Sequence, residues 1–214
     1  MSAPEVGPRR RYRAHVQTEI KQYAWEQLAT SGVAGLSLKA IAQQLGMSGP
    51  ALYRYFASRD ELITALIRDA YRSLADTVRT AYESGADVAG LAQVIRGWAL
   101  SDPQRYLLIY GTPVPGYTAP ADTTAISNEV MTVLVDAYRK ADVPASGSQF
   151  ETHLAGHRQW ADDRSAPPAA LRRALKFWTR VHGVLSLELA GHFAGMGFDP
   201  ALFFADEADD LLPH

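Results

Sequence analysis

Apolar residues recur along this chain at the three-and-four spacing of a helix face. Val16, Ile20, Tyr23, Ala24 and Leu28 make one such stripe, and Gly32 follows as a residue able to end the helix. Ser37 is placed as an N-cap before Leu38, Ile41, Ala42 and Leu45, which share one face of a short helix that stops at Gly46. Ser48 caps a second short helix with Pro50 in its first turn. Its Leu52 and Phe56 turn toward the first, leaving Pro50, Ala51, Tyr53, Arg54 and Tyr55 facing outward. Ser58-Arg59-Asp60-Glu61 is a capping box, in which the serine side chain accepts from the Glu61 amide and the glutamate reaches back to the serine amide. It opens a long helix to residue 84, with Leu62, Leu66, Ala70 and Leu74 on one side and Ile63, Ile67 and Val78 on the next.

After Gly85 the pattern stays helical, with no strand signal. Helices are predicted over 87–100, over 103–110 behind Asp102 and Pro103, over 123–141, over 149–161 and over 169–194. The loop 111–122 is rich in proline and glycine, and the acidic tail after Pro200 is read as trailing off without an element. The expectation is an all-α protein with a disordered basic arm over 1–13, a three-helix domain over 14–58 and a larger helical body over 59–214.

Charge sharpens this division. The formal net charge is −2, yet residues 1–59 carry eight Lys/Arg against three acids, and the rest carry 13 against 20. A basic end on an acidic body is what a protein needs when one end meets a polyanion. The four arginines Arg9, Arg10, Arg11 and Arg13 are read either as a solvated tail or as an arm reaching phosphates or the minor groove. Apolar residues make up 47% of the chain, enough for a sizeable core, and there is no cysteine for disulfides or thiolate metal sites. No run approaches a membrane span and nothing apolar follows Arg9-Arg10, so a cytoplasmic protein is expected.

The set Ser37, Ile41-Ala42, Gly46-Met47-Ser48, Leu52-Tyr53, Tyr55-Phe56 and Ser58-Arg59-Asp60-Glu61-Leu62 resembles the helix-turn-helix of the TetR family of bacterial transcription regulators. Two positions depart from it: Ala51 stands where the family more often has threonine, and Arg59 where it has lysine. The resemblance implies that Ser37, Tyr53 and Arg59 hold phosphates, while Lys39, Gly49, Pro50, Arg54 and Tyr55 approach bases, with Ser48 and Ala51 completing the DNA face. Arg54 is the best placed for a bidentate contact to guanine. The segments DPQRYLLIYGTPVPGY and WTRVHGVLSLELAGHF are similar to the regulatory domain of a subgroup of that family. They imply a body that dimerises through its last long helices and releases DNA when a small molecule binds.

Within the body, Trp98, Tyr106, Tyr110, Trp160 and Trp178 are candidates for a ligand cavity, with core packing as the plainer reading. Trp178, His182, Leu185, Glu188, Leu189 and His192 share a face of the last long helix and are read as the dimer contact, with Glu188 and His192 as its polar pair. His153 and His157 stand one turn apart, but no third ligand is identifiable, so no metal and no cofactor are expected. No glycine-rich phosphate loop, nucleophile elbow or carboxylate cluster supports an enzyme. The expected protein is a homodimeric regulator of the repressor type, on a palindromic double-stranded DNA operator, with an apolar or aromatic small-molecule effector. The alternative is a helical small-molecule-binding or enzymatic protein with a vestigial helix-turn-helix.

Overall fold

Helix α1 begins at Pro8 and runs to Ser31, so the four arginines lie in its opening turns, not in the disordered arm expected from sequence. Proline in the first turn has a fixed φ suited to a helix start, and arginine is a good helix former. The computed structural model describes residues 7–114 and 116–212; residues 1–6 of the expected arm lie outside them. Buried Val16, Ile20, Ala24 and Leu28 form the packing stripe of α1 at intervals of four. Gly32, at φ 63, ends the helix.

Three further helices follow: α2 (Leu38–Gln44), α3 (Gly49–Tyr53) and α4 (Arg59–Glu83). The Ser37 hydroxyl accepts from the Ala40 amide at 3.3 Å and the Ser48 hydroxyl from the Ala51 amide at 3.4 Å, each satisfying one orphan donor of a helix start. Gly46 at φ 62 makes the turn between α2 and α3, and lets the Met47 amide return to the Ala42 carbonyl at 2.8 Å. A side chain at that position would strain the backbone. Ser58 accepts from the Glu61 amide at 3.0 Å, but Glu61 reaches past the serine to the Ala57 amide at 2.5 Å.

The chain divides into two compact units, and the boundary falls inside α4 after Ile67, not at residue 58 as expected; residues 113–114 and 116–118 group with the first unit. Leu62, Ile63 and Leu66 at the start of α4 are buried in the first unit, while the core of the second begins at Leu74. At 25 residues α4 is about 37 Å long.

In the second unit, α5 (Val88–Ser101), α6 (Pro103–Tyr110), α7 (Ala121–Lys140), α8 (Gln149–Gly156) and α10 (Pro200–Asp209) all pack on α9 (Pro168–Leu189). Helix α9 is shorter than the expected 169–194, and α10 forms where no element was expected. The Asp199 side chain accepts from the Ala201 amide at 2.8 Å, Pro200 fills the first turn, and Phe204 and Ala208 are buried. The acids of α10 lie on its outer side, and their number hid the apolar stripe beneath. Helices α4 and α7 are tied by a two-pronged bond from Arg72 to Glu129 at 2.7 and 2.6 Å, to which Arg79 adds a third contact at 3.1 Å. Among the described residues no helix is long and apolar enough to cross a membrane.

Candidate nucleic-acid interface and ligand cavity

The outer side of α3 is assembled by what its inner side buries. Leu52 is fully buried and Phe56 nearly so, which turns Pro50, Tyr53 and Arg54 to the outside, Tyr53 at 53% exposure. Lys39 and Ser48 are also exposed, and Gly49, Ala51 and Tyr55 are half-buried. The end of α3 is held from α1: Arg13 donates to the Arg54 carbonyl at 2.9 Å and lies 5.3 Å from the centre of the Tyr55 ring. A helix end exposes unpaired carbonyls, and a cation there satisfies one of them. Arg13 is therefore occupied in positioning α3, while Arg9, Arg10 and Arg11 lie exposed along the opening of α1.

Arg59 is likewise occupied. Its guanidinium donates to the Leu36 carbonyl at 3.2 Å and to the Val33 carbonyl, bracing the turn before α2, whereas the sequence pointed to a phosphate contact. Ser37, expected at a phosphate, is half-buried, its hydroxyl capping α2 and its amide donating to Gln27 Oε1 at 2.9 Å. Arg59→Ala leaves the Leu36 carbonyl without its side-chain donor and the Val33 carbonyl with the Leu36 amide alone, and is expected to lower unfolding stability by about 1–3 kcal/mol in urea titration. An unchanged urea midpoint with weakened DNA binding would instead return Arg59 to the phosphate role.

The five aromatic candidates of the body fall into three places. Tyr106, Tyr110 and Trp178 pack with Tyr71 and His182, the ring centres lying 4.1–6.0 Å apart. Trp98 is buried near them in the core and donates to Ser73 at 3.1 Å. Trp160 lines a separate cavity of about 340 Å³ with Tyr82, Met131 and Val135. Burial pushes the Tyr110 hydroxyl well above its ordinary pKa and pushes His182 down to about 3. The Tyr106 hydroxyl meets His182 Nδ1 at 3.1 Å, its carbonyl at 3.2 Å and Ser186 at 3.1 Å. His182 Nε2 is buried without a partner, so the imidazole is held neutral in an apolar setting.

Most of the expected dimer set is already engaged inside one chain. Leu185 is fully buried, His182 and Trp178 belong to the aromatic cluster, and Leu189 packs against the core. Glu188 pairs with Arg96 of α5 at 3.0 and 2.5 Å, not with His192, which is exposed beyond the end of α9. The partner was visible as a charge pattern: Arg96 is the one charged residue of α5, and Glu188 the one acid of α9. The exposed apolar residues at this end are instead Leu187, Met196, Phe198 and Leu202, the last at 71%. His153 and His157 stack with ring centres 3.9 Å apart, the His157 ring bonding the His153 carbonyl, and no metal-binding group of three forms among the described residues.

Residues 21–66 match the family described as bacterial regulatory proteins, tetR family, and residues 88–211 match the tetracyclin repressor-like C-terminal domain. The HTH-type transcriptional regulator Rv1816 of Mycobacterium tuberculosis (strain H37Rv) is 39% identical to this chain, over 93% of this chain and 92% of its own length. The regulator Mb1846 of Mycobacterium bovis is similar to the same degree. The crystal structure of the regulatory protein SCO4313 superposes with a TM-score of 0.90 at 64% identity, covering 96% of this chain and 99% of that one. The two mycobacterial relatives are HTH-type transcriptional regulators, not enzymes, and the helix-turn-helix and helical body are both present in this chain. The chain belongs to the TetR family of bacterial transcription regulators.

Proposed function

We propose that the protein is a ligand-released repressor that binds a roughly palindromic operator as a homodimer, each subunit placing α3 in a major groove. The observation that carries this reading is the sidedness of α3: Leu52 is buried, while Pro50, Tyr53 and Arg54 stand exposed on a helix held at its end by Arg13. A B-DNA major groove is about 12 Å wide and accepts a helix presented in this way. Two-fold symmetry of the protein then calls for two-fold symmetry in the site. The exposed apolar set Leu187, Met196, Phe198 and Leu202 is the surface we assign to the second copy.

Release follows if an effector favours a body conformation that shifts α4, whose first residue braces the turn before α2 and whose last turns line the cavity beside Trp160. To turn occupancy from 99:1 to 1:99 it must favour the released form by about 5.5 kcal/mol, which two sites per dimer can supply between them.

A mobility-shift titration on the promoter region beside the protein's own gene tests the reading. Affinity should fall steeply with salt and resist non-specific competitor. Arg54→Ala should weaken operator binding by about 1–3 kcal/mol, roughly fivefold to 150-fold, with the urea midpoint unchanged; equal affinity at fixed salt would remove Arg54 from the interface.

A further inference from the structure

The 340 Å³ cavity between the end of α4, helix α7 and the 160–163 turn has apolar walls and a charged rim that is unevenly compensated. Trp160, Tyr82, Met131 and Val135 supply the walls; the Tyr82 ring already carries Lys140 Nζ 4.7 Å from its centre, so Trp160 is the ring whose π face a ligand would use. Both bases of the lining are already matched. Arg79 pairs with Asp76 and Glu129, and Arg139 pairs with Asp136. Asp136 also takes the Tyr82 hydroxyl at 2.6 Å and Lys140 at 3.0 Å.

The remaining acids outnumber what is left to match them: Asp163, its pKa lowered first by its hydrogen bonds from Ser165, is also within the field of Arg139, but Arg139 is already bonded to Asp136. Among the described residues, Glu83, Asp162 and Asp163 form no salt bridge. Asp162 accepts from the Thr132 hydroxyl at 2.6 Å, and Asp163 from the Ser165 amide and hydroxyl at 2.8 and 2.6 Å, all neutral donors. Arg158 and Arg164 lie in the same loop but do not line the cavity; Arg158 donates to the Arg164 carbonyl. A cavity walled by Trp160, with Glu83 and Asp162 facing no cation among the described residues and Asp163 only partly offset by Arg139, attracts a cation twice, once through the ring quadrupole and once through the negative rim. An anion would meet no free base in the lining and three repelling charges.

We infer that this cavity takes an organic cation carrying an aromatic ring, seated against Trp160 with its charge toward Glu83, Asp162 and Asp163. The inference rests on the reading of the protein as an effector-controlled regulator and names the effector's chemical class.

Calorimetric titration of the full chain with three naphthalene probes of matched size tests it, the probes bearing a trimethylammonium, a hydroxymethyl or an acetate group. The ammonium probe should bind at least about tenfold more tightly than the acetate. Trp160→Ala should weaken the ammonium probe about fivefold or more. The triple variant Glu83→Gln, Asp162→Asn, Asp163→Asn alters exposed side chains only, so it should keep its fold while bringing the ammonium and hydroxymethyl probes within about twofold of each other. Acetate binding as tight as ammonium, or an ammonium affinity untouched by the triple variant, overturns the inference. The promoter titration on the same preparation reads the regulator assignment separately: intact DNA binding with no cation preference defeats only the cavity's ligand class, and cation preference without DNA binding defeats only the regulator reading.

Discussion

Arg96→Ala is expected to lower the free energy of unfolding by about 3–5 kcal/mol, because it strands a carboxylate inside the body. The side chains of Arg96 and Glu188 are 16% and 11% exposed, and the guanidinium grips both carboxylate oxygens. Arg96 also lies 5.6 Å from the centre of the Phe204 ring, so one side chain joins α5, α9 and α10. Most of the loss comes from the unpaired charge and not from the attraction forgone. The double variant Arg96→Met, Glu188→Leu, which removes both charges and keeps apolar bulk, should therefore recover most of the stability. Urea unfolding followed by circular dichroism of the three proteins checks this; a double variant as weak as the single would mean that the pair itself, and not the stranded charge, carries the energy.

Acid should weaken the fold through His182. Its folded pKa of about 3 lies below the unfolded value of 6.5, so burial favours the neutral ring and the unfolded chain takes up the proton first. The resulting stability is complete above pH 6.5 and is lost as pH falls toward 3. Between pH 7 and pH 5 the loss amounts to about 2 kcal/mol. His182→Phe keeps a flat ring among Tyr106, Tyr110 and Trp178 and leaves the Tyr106 hydroxyl its bonds to the residue-182 carbonyl and Ser186. The variant's stability should change less over that interval by the same amount. Parallel pH profiles for the two proteins would show that His182 titrates with water access in the folded state.

What could be read from the sequence is what local chemistry decides. The caps at Ser37, Ser48 and Ser58, the left-handed Gly46 and the four-residue spacing of the α1 stripe act within one or two turns, and each stands where residue type and spacing put it. The roles of Arg13 and Arg59 were not legible, because their partners lie 41 and 23 or more residues away and are backbone carbonyls, which every residue offers. Helix α10 was legible and overlooked: Asp199, Pro200, Phe204 and Ala208 spell a cap, a first turn and a buried face. The aromatic residues of the body could be recognised as a group but not sorted, since a ring at helical spacing reads the same in a core as on a cavity wall. Only the fold separates Trp160 from the cluster around His182.

Under the proposed function two copies of α3 enter neighbouring major grooves. Methylation protection reports this directly, because the reagent attacks guanine N7 on the major-groove edge that Arg54 would occupy. On the promoter duplex at saturating protein, two protected clusters are expected, related by a dyad and centred about one helical turn, 34–36 Å, apart, with Arg54→Ala losing protection at matching guanines in both. Guanines that stay fully reactive at saturation, or protection with no two-fold relation, would contradict it.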